Sequence, residues 1–183
     1  MNGQKISDLG YGILGLLANN PMSGYAVRQL FATTALSVYS SSPGSIYPAL
    51  NKLQRLGMIH QVPQPDSASN NKKMYVLTEK GEQALMDWFA FPQLESHEIG
   101  KCLQSLMLRF SMMGRHVTQA HLKDFLKKMI DHLTHWHGFL ETSHQAMGPE
   151  VHFTGRYALK AGVMQAASDL EWARSTLADL YKQ

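Results

Sequence analysis

Apolar residues in the first ninety positions recur at helical spacing in three short bursts, then switch to alternation. Leu9, Ile13, Leu16 and Leu17 form one face of a first helix, which Asp8 is placed to cap. Asn19-Asn20-Pro21 ends it, Ser23 caps a second helix, and Val27, Leu30 and Phe31 supply that helix's buried face. A polar connection, TTALSVYSSSPGS, closes on the breakers Pro43-Gly44. A third helix is expected over residues 45–56, with Ile46, Ala49, Leu50 and Leu53 inward and Gly57 just past its end. Residues 58–62 and 73–77 read as two strands, joined by the breaker-rich loop PQPDSASNNK. Thr78 then caps a fourth helix, with Glu79 in its first turn, running through Leu85, Trp88 and Phe89 towards Pro92.

Residues 92–98 read as a hinge, and beyond it the pattern is purely helical. Leu103, Leu106, Met107 and Phe110 mark a short amphipathic helix over 102–113. Thr118 can cap a long helix whose apolar positions step by four and three: Leu122, Leu126, Met129, Leu133, Trp136 and Leu140. After a break at Gly148-Pro149 the same rhythm returns in Leu159, Val163, Ala166, Leu170, Ala173, Leu177 and Leu180. Such a seam suits coiled-coil-like packing, and Ala166 and Ala173 would let a partner helix approach closely. These seven residues are the candidate dimer contacts. The expected fold is mainly α with a small two-stranded β-wing. Residues 1–92 form a winged helix-turn-helix with its own core, and residues 93–183 an antiparallel helical dimerisation domain.

With 44% hydrophobic and 17% charged residues, the chain of 183 residues reads as globular. No apolar run reaches the ~18–20 residues that span a bilayer, so no membrane partner is expected. The apolar stretch near the start is preceded by Asp8 and followed by no small-residue cleavage site, which favours a cytoplasmic chain over a secreted one. Cys102 is the single cysteine, which excludes an internal disulfide. The net charge of +3 is unevenly spread. Residues 1–75 hold six Lys/Arg against two acids, and residues 76–183 hold eleven against twelve. The positive excess therefore lies in the first part of the chain and points to an anionic partner there.

The third helix concentrates the informative chemistry. At ~100° per residue, Tyr47, Pro48, Asn51, Lys52 and Arg55 lie away from its apolar stripe, with Ser45 at its head. An aromatic hydroxyl, an amide and two cations on one face can meet base edges and phosphates in a major groove. Lys72 and Lys73, at the base of the wing, are candidate phosphate contacts.

Other chemistry finds less support. His132, His135 and His137 fall within six residues, but His137 points away from His135 and no cysteine or second carboxylate cluster completes a tetrahedral site. Cys102 lies in a helical apolar pattern, as a structural cysteine does. No P-loop, GxGxxG or HExxH occurs, so neither an enzyme nor a cofactor nor a metal is expected. The rival reading is a winged-helix protein-interaction adaptor without specific DNA binding. The outward polar and basic face of helix three favours DNA binding.

At this point the chain resembles the PadR family of bacterial transcriptional regulators. The resemblance rests on LGLLANNPMSGYAVRQLF (14–31), SIYPALNKLQRLGMI (45–59) and YVLTEKGEQAL (75–85). The Leu-Gly-Leu-Leu opening, Ser-Gly-Tyr, Tyr-Pro-x-Leu and Leu-Thr-x-x-Gly elements stand in family order. It implies a homodimer on double-stranded DNA, with helix three in the major groove and the wing on the backbone or minor groove. The wing tip, residues 66–71, carries no arginine, which argues against insertion into the minor groove. The long C-terminal half is similar to the subgroup typified by virulence-gene activators. Neither the operator nor a small-molecule effector is named by the sequence, nor is activation distinguished from repression.

Overall fold

The computed structural model describes residues 6–40, 42–63 and 73–182. They fall into two units. One runs to Ala90 and takes in Leu108–Gly114, and the other comprises Phe91–Met107 and the chain from Arg115 onward.

The first unit runs α1 (Asp8–Asn19), β1 (Met22–Ser23), α2 (Gly24–Thr33), a 3₁₀ turn at Ala35–Val38, α3 (Pro43–Arg55), β2 (Ile59–Pro63), β3 (Lys73–Leu77) and α4 (Glu79–Phe89). Hydroxyl groups start three of its helices, with Ser7, Ser23 and Thr78 accepting from the amides of Gly10, Ala26 and Gly81. Asp8 is therefore the first residue of α1 rather than its cap. Helix α3 begins two residues before the expected Ser45, because proline at the first helical position gives up an N–H that has no acceptor there.

The sheet has three antiparallel strands in the order β1-β3-β2, one more than the periodicity predicts. The extra strand pairs Met22 with Tyr75 and Ser23 with Met74, and two residues are too few to leave an alternation. Ile13, Leu14, Val27, Phe31, Ile46, Leu50, Ile59, Leu85 and Phe89 are buried in this unit. Leu108, Met112 and Met113, from the end of α5 (Ile99–Met113), are buried with them. Met112 lies where α1 has no side chain: a Cβ on Gly15 would stand 2.7 Å from its sulfur. That accounts for glycine on an otherwise apolar helix face.

The second unit is built on an antiparallel hairpin of α6 (Gln119–Gln145) and α7 (Phe153–Lys182). Gln119 donates to the Leu180 carbonyl at 3.1 Å at one end, and Arg156 closes the connection onto the Gly148 carbonyl at 2.9 Å. Phe125, Leu126, Met129, Leu133 and Leu140 of α6 are buried, as are Ala166, Leu170 and Ala173 of α7. The linker contributes Phe91, whose ring meets Phe125 edge-on at 5.1 Å and stacks on His132 at 5.5 Å. The described residues are mainly helical with one small sheet. Among the described residues no helix is long and apolar enough to cross a membrane.

Candidate nucleic-acid interface

Helix α3 buries Ile46, Leu50 and Leu53 and turns Tyr47, Pro48, Asn51, Gln54 and Arg55 outward. Pro48, Asn51, Gln54 and Arg55 line one open concavity of about 730 Å³. An amide pair and a guanidinium thus share one shallow, exposed surface, with donors and acceptors directed away from the core. Gln54 was missed from the sequence, although its position next to Arg55 and one turn beyond Asn51 marks it.

The remaining expected residues are placed differently. Tyr47 is 40% exposed. Its ring lies against the start of α2, where a Cβ on Gly24 would come within 2.8 Å of it. Ser45 is half-buried, with its hydroxyl 3.0 Å from that of Ser42. Lys52 is half-buried. Lys73 is exposed at the start of β3, paired in register with Pro63. Lys72 and the wing tip, 66–71, lie outside the described residues.

Helix α2 adds two groups that the apolar pattern did not single out. Tyr25 is 62% exposed, and the Arg28 guanidinium stands 5.5 Å from its ring centre. They are one turn apart on α2, and their i, i+3 spacing is the signal that could have found them. Before α3, burial and then the Asp8 carboxylate push the Tyr39 phenol up to about 12, so it is an uncharged donor at neutral pH.

The end of α3 is closed by backbone geometry. Gly57 takes φ +70°, its amide donates to the Gln54 carbonyl at 2.9 Å, and the Met58 amide donates to Leu53 at 3.0 Å. This is the paired arrangement a left-handed glycine permits after a helix.

In the second unit α7, which carries the seven seam residues Leu159 to Leu180, packs against α6 of the same chain. Ala166, Leu170 and Ala173 are buried there, while Leu159, Val163, Leu177 and Leu180 are half-buried. The 4,3 rhythm specifies that a helix covers the seam but not which chain supplies it. A connection of a few residues gives α6 the advantage of proximity. The large apolar side chains left exposed on α7 are Phe153, Tyr157, Met164 and Tyr181.

The histidines do not converge. His132 stacks on Phe91, His135 faces Asp131 and His137 lies 3.6 Å from Glu141. Among the described residues no three His, Cys, Asp or Glu are grouped to hold a metal ion. Cys102 is a half-buried free thiol.

Three helices, a small antiparallel sheet and an exposed polar α3 make the first unit a winged helix-turn-helix. Residues 13–87 match the transcriptional regulator PadR-like family. The negative transcriptional regulator PadR of Bacillus subtilis (strain 168) is 39% identical over 80 residues. That match spans 44% of this chain and 44% of the relative's length. The crystal structure of B. subtilis PadR in complex with operator DNA aligns over 95% of this chain and 99% of its own, at 26% identity and a TM-score of 0.42. The Vibrio cholerae virulence activator AphA aligns over 95% and 98%, at 21% identity and a TM-score of 0.39.

Proposed function

We propose that the chain is a cytoplasmic, sequence-specific transcriptional regulator that binds double-stranded DNA as a homodimer and has no catalytic role. The observation that carries this is the outward surface of α3, where Pro48, Asn51, Gln54 and Arg55 lie together and exposed on a winged helix-turn-helix. An amide can pair with adenine and a guanidinium with guanine in the major groove. Ser45, Tyr47 and Lys52 act beside them, and Lys72 and Lys73 hold phosphates from the wing. The positive excess of residues 1–75 supports an anionic partner for this unit. The 39% identity to a negative transcriptional regulator supports the regulatory class.

Dimerisation belongs to the C-terminal hairpin, where Leu159, Val163, Leu177 and Leu180 are half-buried and Phe153, Tyr157 and Met164 are exposed. A two-fold dimer sets two copies of α3 about one DNA turn, ~34 Å, apart on one face of the duplex. Genome-wide footprinting of the bound DNA tests the whole reading. A two-fold symmetric motif is expected. Binding that random competitor DNA abolishes would leave a protein-interaction adaptor instead.

A further inference from the structure

The start of α4 holds the end of the recognition helix, which deepens the DNA-binding reading above and rests on it. After the Gly57 turn has used the amides of Gly57 and Met58, the carbonyls of Leu56, Gly57 and Met58 still need donors. All three find them at the start of α4. The Lys80 ammonium donates to the Leu56 carbonyl at 2.8 Å, the Thr78 hydroxyl to the Gly57 carbonyl at 2.8 Å, and the Thr78 amide to the Met58 carbonyl at 3.0 Å. The Thr78 oxygen simultaneously accepts from the Gly81 amide at 3.1 Å, so one side chain both starts α4 and fastens Gly57, two residues past the end of α3. Gly81 is required by the same contact, because a Cβ there would collide with the Met58 carbonyl. The Leu-Thr-x-x-Gly sequence is therefore a two-sided joint between α4 and α3.

We propose that Lys80 and Thr78 are positioning residues for DNA reading: they set the angle at which the last turn of α3 presents Gln54 and Arg55. Arg55 immediately precedes the fastened Leu56, and Asn51 lies one turn earlier. Loosening this end re-aims Arg55 and Gln54 first. A positive charge at the C-terminal end of α3 also meets the negative end of its dipole. Phosphate contacts tolerate small changes of angle, because a charge acts over several ångströms. Bidentate base contacts do not. The joint therefore governs discrimination between sequences more than attraction to DNA.

The test uses the full chain with Lys80→Met, Lys80→Arg, Thr78→Val and Thr78→Ser. Dissociation constants are measured on the footprinted site and on random duplex across a salt series, with amide exchange followed at 55–58. Lys80→Met is the decisive variant, since Thr78→Val also removes the cap of α4. The expected result is a fall of about five- to tenfold in the site-to-random ratio. The salt slope should not change, exchange at 55–58 should quicken, and Lys80→Arg and Thr78→Ser should recover the ratio. An equal loss on both duplexes with a slope reduced by about one would make Lys80 a phosphate contact and overturn the proposal. A full ratio in Lys80→Met beside a lowered melting temperature would make the joint merely structural and overturn it too. A wild-type chain without discrimination would instead overturn the DNA-binding reading, and the proposal with it.

Discussion

Arg109 reaches from α5 to donate to the Trp88 carbonyl at 2.7 Å, in the last turn of α4. The same nitrogen lies 2.9 Å from the Ala90 carbonyl, and the guanidinium stands 5.0 Å from the Trp88 ring centre. Trp88 in turn stacks on Tyr11 of α1 at 4.5 Å, with the two rings within 4° of parallel. One cation thus satisfies helix-end carbonyls and covers an aromatic pair. Arg109→Met should lower stability by about 1.5–3 kcal/mol and shift the near-ultraviolet signal of Trp88. Lysine should recover only part of this, since it lacks the planar fork. Urea unfolding of the two variants decides it.

Leu108, Met112 and Met113 make α5 part of the N-terminal unit's core, so its fold depends on residues beyond the linker. Met113→Ala is expected to cost about 2–5 kcal/mol, as for other fully buried long side chains. A chain ended at Pro92 should unfold at lower temperature than one ended after Gly114. Equal melting temperatures for the two lengths would count against this role.

Base reading should separate from phosphate anchoring. Asn51→Ala is expected to cost roughly 1–3 kcal/mol on the preferred site and much less on random DNA. Replacing Lys72 and Lys73 by alanine should weaken all DNA alike and reduce the salt slope by about one to two. Titrations across a salt series measure both. A uniform loss for Asn51→Ala would show that it positions the protein rather than reading sequence.

The two faces of α7 should respond differently. Leu170 is buried against α6, so Leu170→Asp strands a charge inside the hairpin and should reduce helical content. Met164 is 64% exposed, and Met164→Asp should leave the helices intact while shifting sedimentation from dimer to monomer. A dimer unaffected by Met164→Asp would move the interface off this face.

Alkaline pH offers a local probe. Burial, then the charge of Asp8, raises the Tyr39 phenol to about 12, whereas an unfolded tyrosine ionises near 10. The unfolded state therefore loses its proton first as pH rises. The stability tied to the neutral phenol is complete below pH 10 and disappears between about 10 and 12. Tyr39→Phe should remove that part of the alkaline decline, read as the difference between the two melting curves across this interval.

Most of the elements were legible because their causes are local. Caps at Ser23, Thr78 and Thr118, the Gly57 terminus and the apolar stripes of α3, α6 and α7 all act within one helical turn of themselves. The outward face of α3 was legible for the same reason: its residues share a face because they share a helix. Only the tertiary structure could decide what lies opposite each face. It covers the α7 seam with α6, rests Tyr47 on Gly24, brings Leu108 and Met112 into the N-terminal unit, and gives the Leu56 carbonyl to Lys80, 24 residues away. Periodicity records that a surface is apolar or polar. The partner is selected by packing among segments distant in sequence, and no spacing within either segment encodes that choice.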